Sequence, residues 1–541
     1  MGMYLNSISP AALYKSETVS PYFVDKSLLL KELFPLVEAG NRHICITRPR
    51  RFGKTVMANM VGAFFNKGSD ASQIFDNLKI SGEKDYRIHL NQYNVIYIDF
   101  SVVDDECCTY REYIDAIKEI LRADLHQAYS DVGFREKSSV REDLTRIFIE
   151  KKEKFIFVFD EWDAVFHMSF VNEEDKKSYL AFLKGLLKDK PYVSLAYMTG
   201  ILPIAKYSSG SELNMFAEYT MGSEMKFSED FGFSEAEVDV LHDRYLVNCK
   251  KEKHIPEVTR QGLRTWYDGY YTKSGARMYN PRSVVASLTN NNLGSYWTSS
   301  GPYDEIFYYV EHNVADVRKD LALMVSGEDV SAKIQEYAAT SMNLTTREEI
   351  LSAMVVYGFL SYYKGNVYIP NKELMDKFDE MLQKESSLGY VYNLAKESER
   401  MLHATLCGDC DTMERILTYA HDTETPILSY NNEVELSAIV NLVYLSARDR
   451  YRIEREDKAG KGFVDFIFYP EAKSDVCIIL ELKVDDTPEH AILQIKEKQY
   501  ALRLKGKLGE KPKYTGKILA VGISYDKNTK VHRCKVEELN D

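Results

Sequence analysis

The chain reads as an α/β protein in which two separate α/β units are joined by a mostly helical middle region. Three features of the pattern carry this. From about residue 41 to 200, short apolar β-branched runs alternate with helical stretches. The signal is mostly helical from about 230 to 425, and strands mixed with helices return from about 426. Strands alternating with amphipathic helices build a parallel sheet with covered faces. The expected domains are 1–230, 231–425 and 426–541, the middle one a helical lid or connecting region. At 541 residues the chain exceeds what one core supports, since single cores stop growing near about 250–300 residues.

In the first unit the expected strands are His43–Thr47, Asn94–Phe100, Phe155–Asp160 and Tyr192–Thr199, with helices at 54–66, 110–128, 138–151 and 174–188. In the middle, Phe359–Tyr363 and Asn366–Ile369 flank Lys364-Gly365 and read as a hairpin. The last unit is expected as a helix over 432–447, strands at 451–455, 462–468 and 475–483, a helix over 488–504 and a strand at 517–523.

Composition narrows the function classes. Hydrophobic residues make up 45% and charged residues 28%, and 38 Tyr and 25 Phe supply several cores. The net charge of −13 excludes a protein that coats nucleic acid with its whole surface, so any such contact must be a local basic patch. No apolar run approaches the ~18–20 residues that span a bilayer. Met1 to Lys15 lacks a charged segment followed by an apolar one, so a cytoplasmic protein with no membrane partner is expected. Eight cysteines without an export signal read as reduced thiols. Cys407 and Cys410 form a CxxC with His403 upstream, but no second ligand pair lies nearby and zinc is not expected.

The first chemical motif follows the strand His43–Thr47. Arg48-Pro49-Arg50-Arg51-Phe52-Gly53-Lys54-Thr55 runs straight into a helix. Its last three residues match the end of the Walker A pattern. A Gly lets backbone approach phosphate, the Lys reaches the terminal phosphates, and the Thr hydroxyl sits on Mg²⁺. The departure is Arg48, where the usual pattern has its first Gly. Downstream, the apolar strand Phe155–Phe159 ends in Asp160-Glu161. Asp160 can hold Mg²⁺ and Glu161 can polarise the attacking water. Alone, the loop is a weak signal that also reads as a basic helix cap, and for the Asp-Glu pair alone a strand or helix cap is the better reading; together they favour a nucleotide site. Thr199 ends the next strand as a sensor of the terminal phosphate or, equally, as a helix cap. Arg50 and Arg51 lie where they offset charge developing in transfer, or pair with an acidic neighbour.

The second motif is Asp465 on one strand and Glu481-Leu482-Lys483 on the next, with fifteen residues between the two acids. Two carboxylates converge to hold Mg²⁺ against a scissile phosphate. Strand alternation puts Glu481 and Lys483 on one face, where the Lys orients or helps deprotonate water. An earlier helix opens with Glu433, at the place where the PD-(D/E)XK superfamily, which this pattern resembles, often adds a metal-binding acid, and Glu435 competes for that role. Gln494 and Tyr500 sit on the following helix. Between 494 and 517 eight basic residues (Lys496, Lys498, Arg503, Lys505, Lys507, Lys511, Lys513, Lys517) face two acids. Such a stretch suits phosphate contacts; a solvated helix face is an equal reading of the stretch alone.

Tyr22–Ser27, "RPRRFGKT" at Arg48–Thr55, "DEWD" at Asp160–Asp163, "WYDGY" at Trp266–Tyr270 and "YNPRS" at Tyr279–Ser283 together resemble a large family of bacterial AAA-ATPase-like proteins. Its members typically carry a C-terminal PD-(D/E)XK nuclease-like domain. The resemblance covers nearly the whole chain, and an Arg at the first Walker A position is normal in it. It implies a P-loop NTPase sheet domain, a restriction-endonuclease-like C-terminal domain, and ATP and Mg²⁺ as cofactors. The expected activity is ATP hydrolysis with Mg²⁺-dependent cleavage of nucleic acid, DNA first. The nucleic-acid contacts are expected at Gln494, Lys496, Lys498 and Tyr500. The rivals are a signalling or scaffold ATPase whose nuclease fold binds without cutting, and a motor-like remodeller. Homo-oligomerisation is left open.

Overall fold

The structure is a computed structural model. It describes residues 2–204, 213–222, 224–297, 315–325, 329–334, 344, 346–384, 390–421, 433–459, 462–470, 475–501, 504 and 516–539. The chain divides into two compact units, one formed by 1–301 with 332–373 and the other by 302–331 with 374–541. Among the described residues, no helix is long and apolar enough to cross a membrane.

The first unit is built on a sheet of β1 (His43–Thr47), β2 (Asn94–Asp99), β3 (Phe155–Asp160), β4 (Val193–Gly200) and β5 (Ala217–Tyr219), in the order β2-β3-β4-β1-β5. All neighbours in it are parallel. Every residue of β1, β3 and β4 is buried, which is why these strands read as unbroken apolar runs rather than as alternation. The helix Lys54–Phe65 lays Met57, Met60, Val61 and Phe64 against Ile44, Ile156, Val158 and Leu195. After the shorter Ser9–Thr18 at the start of the unit, the other longer helices before β4 are Tyr110–Ala128, Val140–Lys151 and Glu173–Leu187. Each starts on a side-chain cap, from Thr109, Ser139 and Asn172, and the last two caps are full capping boxes with Glu142 and Asp175. Those polar pairs satisfy orphan N–H groups that otherwise fray a helix start.

Later residues add β6 (Phe233–Ser234), β7 (Tyr270–Tyr271) and β8 (Arg277–Tyr279), which pair in the order β6-β8-β7, with the helices Glu235–Glu252, Arg260–Tyr267 and Pro281–Asn290. β9 (Val330–Ser331) is a two-residue strand. The expected hairpin is present as β10 (Ser361–Tyr363) and β11 (Asn366–Tyr368). Its turn residues Lys364 and Gly365 have φ of 49° and 93°, the double positive φ that a two-residue hairpin turn demands.

The second unit holds a mixed sheet of β12 (Tyr451–Ala459), β13 (Gly462–Pro470), β14 (Cys477–Val484), β15 (Ile518–Asp526) and β16 (Val531–Glu538), in that order. β14 and β15 are parallel and the other neighbours antiparallel. The helix Pro488–Glu497 buries Ile492 and Ile495 with Ile467, Ile479 and Ala520. It is shorter than the expected 488–504, and β16 is an additional strand.

Candidate functional site

Parallel strands bring their C-terminal ends to one edge, and the crevice there is where open α/β sheets bind ligands. In the first unit that edge carries Thr47, Asp99, Asp160 and Gly200 as the last residues of β1, β2, β3 and β4. A cleft of about 690 Å³ opens beside it. Arg50 through Met57 line the cleft, together with Asp99, Ser101, Glu161, Asp163, His167, Tyr22, Phe23, Val24, Phe233, Arg282 and Val285.

Gly53 has φ +85° as it turns into the helix Lys54–Phe65, a conformation open to glycine without a steric penalty. Lys54 is 4% exposed, donates to the carbonyls of Arg48 and Pro49 at 3.2 Å each, and lies 3.9 Å from Glu161 Oε1. Glu161 itself has φ +49°, an uncommon state for a residue with a Cβ and one that clusters at working sites.

Asp160 is fully buried, and Thr199 donates its hydroxyl to Oδ1. Burial pushes the Asp160 carboxyl up to about 6, against the pull of the Thr199 hydrogen bond. Its Oδ2 has no protein partner. Asp163 accepts the backbone N–H groups of Ile201 and Leu202 at 3.0 and 2.7 Å, which fastens the segment after β4 to the acidic strand end. Gly200 sits between them. A Cβ there would lie 2.5 Å from Trp162 Nε1 and 2.6 Å from Asp163 Oδ1. Gly200→Ala is therefore expected to destabilise the protein by about 2 kcal/mol through overpacking, read as a lower melting midpoint; an unchanged midpoint would show that the site gives way.

Not every residue of the loop faces the cleft. Arg48 is 1% exposed and points inward, where its guanidinium donates to the carbonyls of Thr47 (2.7 Å), Tyr219 (2.8 Å) and Phe227 (2.6 Å) and stacks over Phe231. Arg48 and Pro49 line a small hollow of about 50 Å³, not the cleft. The cleft also contains residues that the sequence reading gave no role, among them Asp99, Asp163, His167 and Arg282. Arg282 and Asp163 sit in motifs quoted above, so the motifs themselves were the available signal.

In the second unit Asp465 and Glu481 meet at the end of the paired stretch of β13 and β14, one residue beyond the Phe466–Leu480 pair. Asp465 Oδ2 accepts the N–H of Leu482 at 2.7 Å. Glu481 is 3% exposed; Lys483 Nζ stands 3.4 Å from its Oε1, Gln494 donates to the same oxygen, and Oε2 has no protein partner. Gln494 Nε2 also lies 3.3 Å from Tyr500 Oη.

Two assignments change here. Tyr500 is 1% exposed and Gln494 is committed to Glu481, so both build the carboxylate site rather than present a surface for nucleic acid. The basic patch is also diluted. Lys496 pairs with Glu537, and Lys517 with Glu538 at 3.0 Å. Both acids come from β16, outside the stretch counted in the sequence. Lys498 is exposed at the end of its helix. Arg503, Lys505, Lys507, Lys511 and Lys513 lie outside the described residues, as do the side chains of Glu433 and Glu435, although the helix Glu433–Val443 is present.

Burial, reinforced by the Asp465 charge, pushes Glu481 up to about 8. A carboxyl raised above its ordinary value of about 4.3 adds stability that is complete below that value and is lost as pH climbs through about 8. Metal-free protein is thus expected to lose stability between about pH 5 and pH 8 relative to Glu481→Gln, by on the order of a few kcal/mol. Parallel melting curves for the two proteins across that range would refute this.

Residues 15–209 match the family model described as a predicted AAA-ATPase, and residues 435–534 match that of the PD-(D/E)XK nuclease superfamily. No curated protein matches the chain. Among solved structures it is similar to Cdc6p from Pyrobaculum aerophilum, with 11% identity, 65% of this chain and 92% of that one covered, and a TM-score of 0.27. It is also similar to the ORC2 protein of Aeropyrum pernix (11%, 66% and 92%, 0.31) and to ORC1 of the same organism in complex with DNA (13%, 66% and 93%, 0.24). At TM-scores this low the likenesses carry no argument. By these two matches, residues 15–209 are similar to the AAA-ATPase-like family and residues 435–534 to the PD-(D/E)XK nuclease superfamily.

Proposed function

We propose that the protein binds and hydrolyses ATP in the cleft of its first unit and cleaves DNA by Mg²⁺-dependent phosphodiester hydrolysis in its second. One kind of observation carries both halves: at each site a buried carboxylate oxygen, Asp160 Oδ2 or Glu481 Oε2, has no partner in the protein. A buried acceptor left unmatched is costly, and both sit where a phosphate-bound cation is wanted. Among the described residues no group of three or more His, Cys, Asp or Glu side chains forms a ready-made cage. Two protein ligands with the remainder from water and phosphate is the way Mg²⁺ is commonly held.

In the cleft, Thr55 and Asp160 would hold the ion, Lys54 the terminal phosphates, and Glu161 the attacking water. Thr199 fixes the Asp160 carboxylate through its hydroxyl. Arg50, Arg51 and Arg282 supply positive charge, and Tyr22, Phe23, Val24, Phe233 and Val285 give an apolar seat for the base. In the second unit Asp465 and Glu481 would hold the ion. Lys483 orients the attacking water, and Gln494 and Tyr500 keep Glu481 in place. A bound Mg²⁺ neutralises phosphate charge and polarises water.

The pairing of Lys496 and Lys517 with Glu537 and Glu538 is the observation that favours the second reading, a signalling or scaffold ATPase that does not cut. Incubating the purified chain with plasmid and linear DNA, with Mg²⁺ or Mn²⁺ and with or without ATP, separates the two. Cleavage supports the nuclease. Intact DNA under every condition, with ATP still bound, moves the second unit to a binding role.

A further inference from the structure

Tyr270 and Ser283, from two of the motifs, have no part in the chemistry above, yet both lead back to the phosphate loop. Trp297 Nε1 donates to the Arg50 carbonyl at 3.1 Å, and the Arg51 guanidinium donates to the Tyr296 carbonyl. The Phe52 ring meets Tyr270 edge-on at 4.9 Å. Tyr270 Oη in turn donates to the Gly358 carbonyl at 3.0 Å, and Gly358 lies so close under Pro49 that a Cβ there would be 2.6 Å from Pro49 Cβ. All four residues from Pro49 to Phe52 are thus gripped by chain segments far downstream.

Behind the grip stands one carboxylate. Glu373 is 2% exposed and accepts the backbone N–H groups of both Tyr296 and Trp297, and the Ser283 hydroxyl at 2.8 Å. A buried carboxylate needs its donors, and here two of the three fix the shape of a turn. Ser283 follows Arg282, which lines the nucleotide cleft. The hydrogen-bonded chain therefore touches the cleft at both ends.

We propose that Trp297 and Glu373 are positioning residues for the phosphate loop: the 296–297 turn, held by the Glu373 carboxylate, sets the Arg50–Phe52 backbone in the shape that receives a triphosphate. The proposal rests on the nucleotide reading of the cleft. It gives the Trp and Glu an effect on phosphate recognition and none on the base.

The test is titration of the full chain with a fluorescent ATP analogue and Mg²⁺, with unlabelled adenosine as competitor. Wild type, Trp297→Phe and Glu373→Gln are compared. Phenylalanine keeps an aromatic ring toward Phe359 and removes the Nε1 donor together with the volume of the fused ring. Glutamine keeps one acceptor and turns an NH₂ toward a former donor. Each variant is expected to weaken ATP about fivefold, the size of one hydrogen bond, with adenosine competition unchanged. Unchanged ATP affinity in Trp297→Phe, or an equal loss for ATP and adenosine, overturns the proposal. If Glu373→Gln does not fold, Trp297→Phe alone decides. Failure of wild type to bind the analogue overturns the nucleotide reading and the proposal with it.

Discussion

Lys54→Ala is expected to lose about 100-fold or more in ATP affinity. The ammonium is almost wholly buried and rests on two neutral carbonyls, those of Arg48 and Pro49. Glu161 stands nearby but is half-buried and 3.9 Å away. Phosphate oxygens are stronger acceptors than carbonyls, and two charge-assisted hydrogen bonds at about 1.5–3 kcal/mol each give a loss of this size. Calorimetric titration of the full chain with ATP and Mg²⁺ measures it directly. An affinity within about threefold of wild type would mean the nucleotide lies elsewhere. Lys54→Arg is no rescue, because a planar guanidinium does not fit the space of a compact ammonium.

Glu481→Ala is expected to reduce DNA cleavage on the order of 10³-fold, comparable to removing a principal stabiliser of transition-state charge. Lys483→Ala is expected to cost about 10²-fold, the scale of one proton-handling group. The two differ in what else they change. Loss of Glu481 takes away a buried carboxyl whose ionisation the surroundings oppose, so Glu481→Gln, which keeps the volume and an acceptor, should melt no lower than wild type at pH 8. A cleavage rate retained in Glu481→Ala, or lost only along with the fold, would sink the assignment. The Lys54→Ala protein assayed beside it shows whether ATP controls cutting.

Most of the architecture is legible in the residues because the central strands are buried on both faces. Phe155–Asp160 and His43–Thr47 could hardly be anything else, and capping residues such as Ser139 and Asn172 mark the helix starts within a residue or two. β16 escaped because it lies at a sheet edge. Its inward positions are His532 and Cys534, set among Arg, Lys and Glu, so no apolar alternation announces it. That one omission also misjudged the basic patch, since the neutralising acids Glu537 and Glu538 are on the missing strand. β5 is three residues long and half-buried, too short for any periodicity.

The carboxylate pairs were legible for a different reason: a strand fixes direction, so Asp160 at its end and Glu481 with Lys483 along it have only one face to occupy. What could not be read was convergence across the chain. Arg282 and Val285 arrive in the cleft from a helix well over two hundred residues after the phosphate loop, and nothing in local spacing encodes that approach.

The first residue of the phosphate loop also bears on how such loops are recognised. At that position Arg48 reaches inward and closes three main-chain acceptors contributed by β1, β5 and the 227 region. Restoring the more familiar glycine would strip those oxygens of their donors in a dry interior and leave the space of a long side chain empty. The substitution that makes the loop look more orthodox is therefore the one that harms it. In this loop the backbone after the strand is seated by a side chain, and a pattern that requires glycine at the first position does not match it.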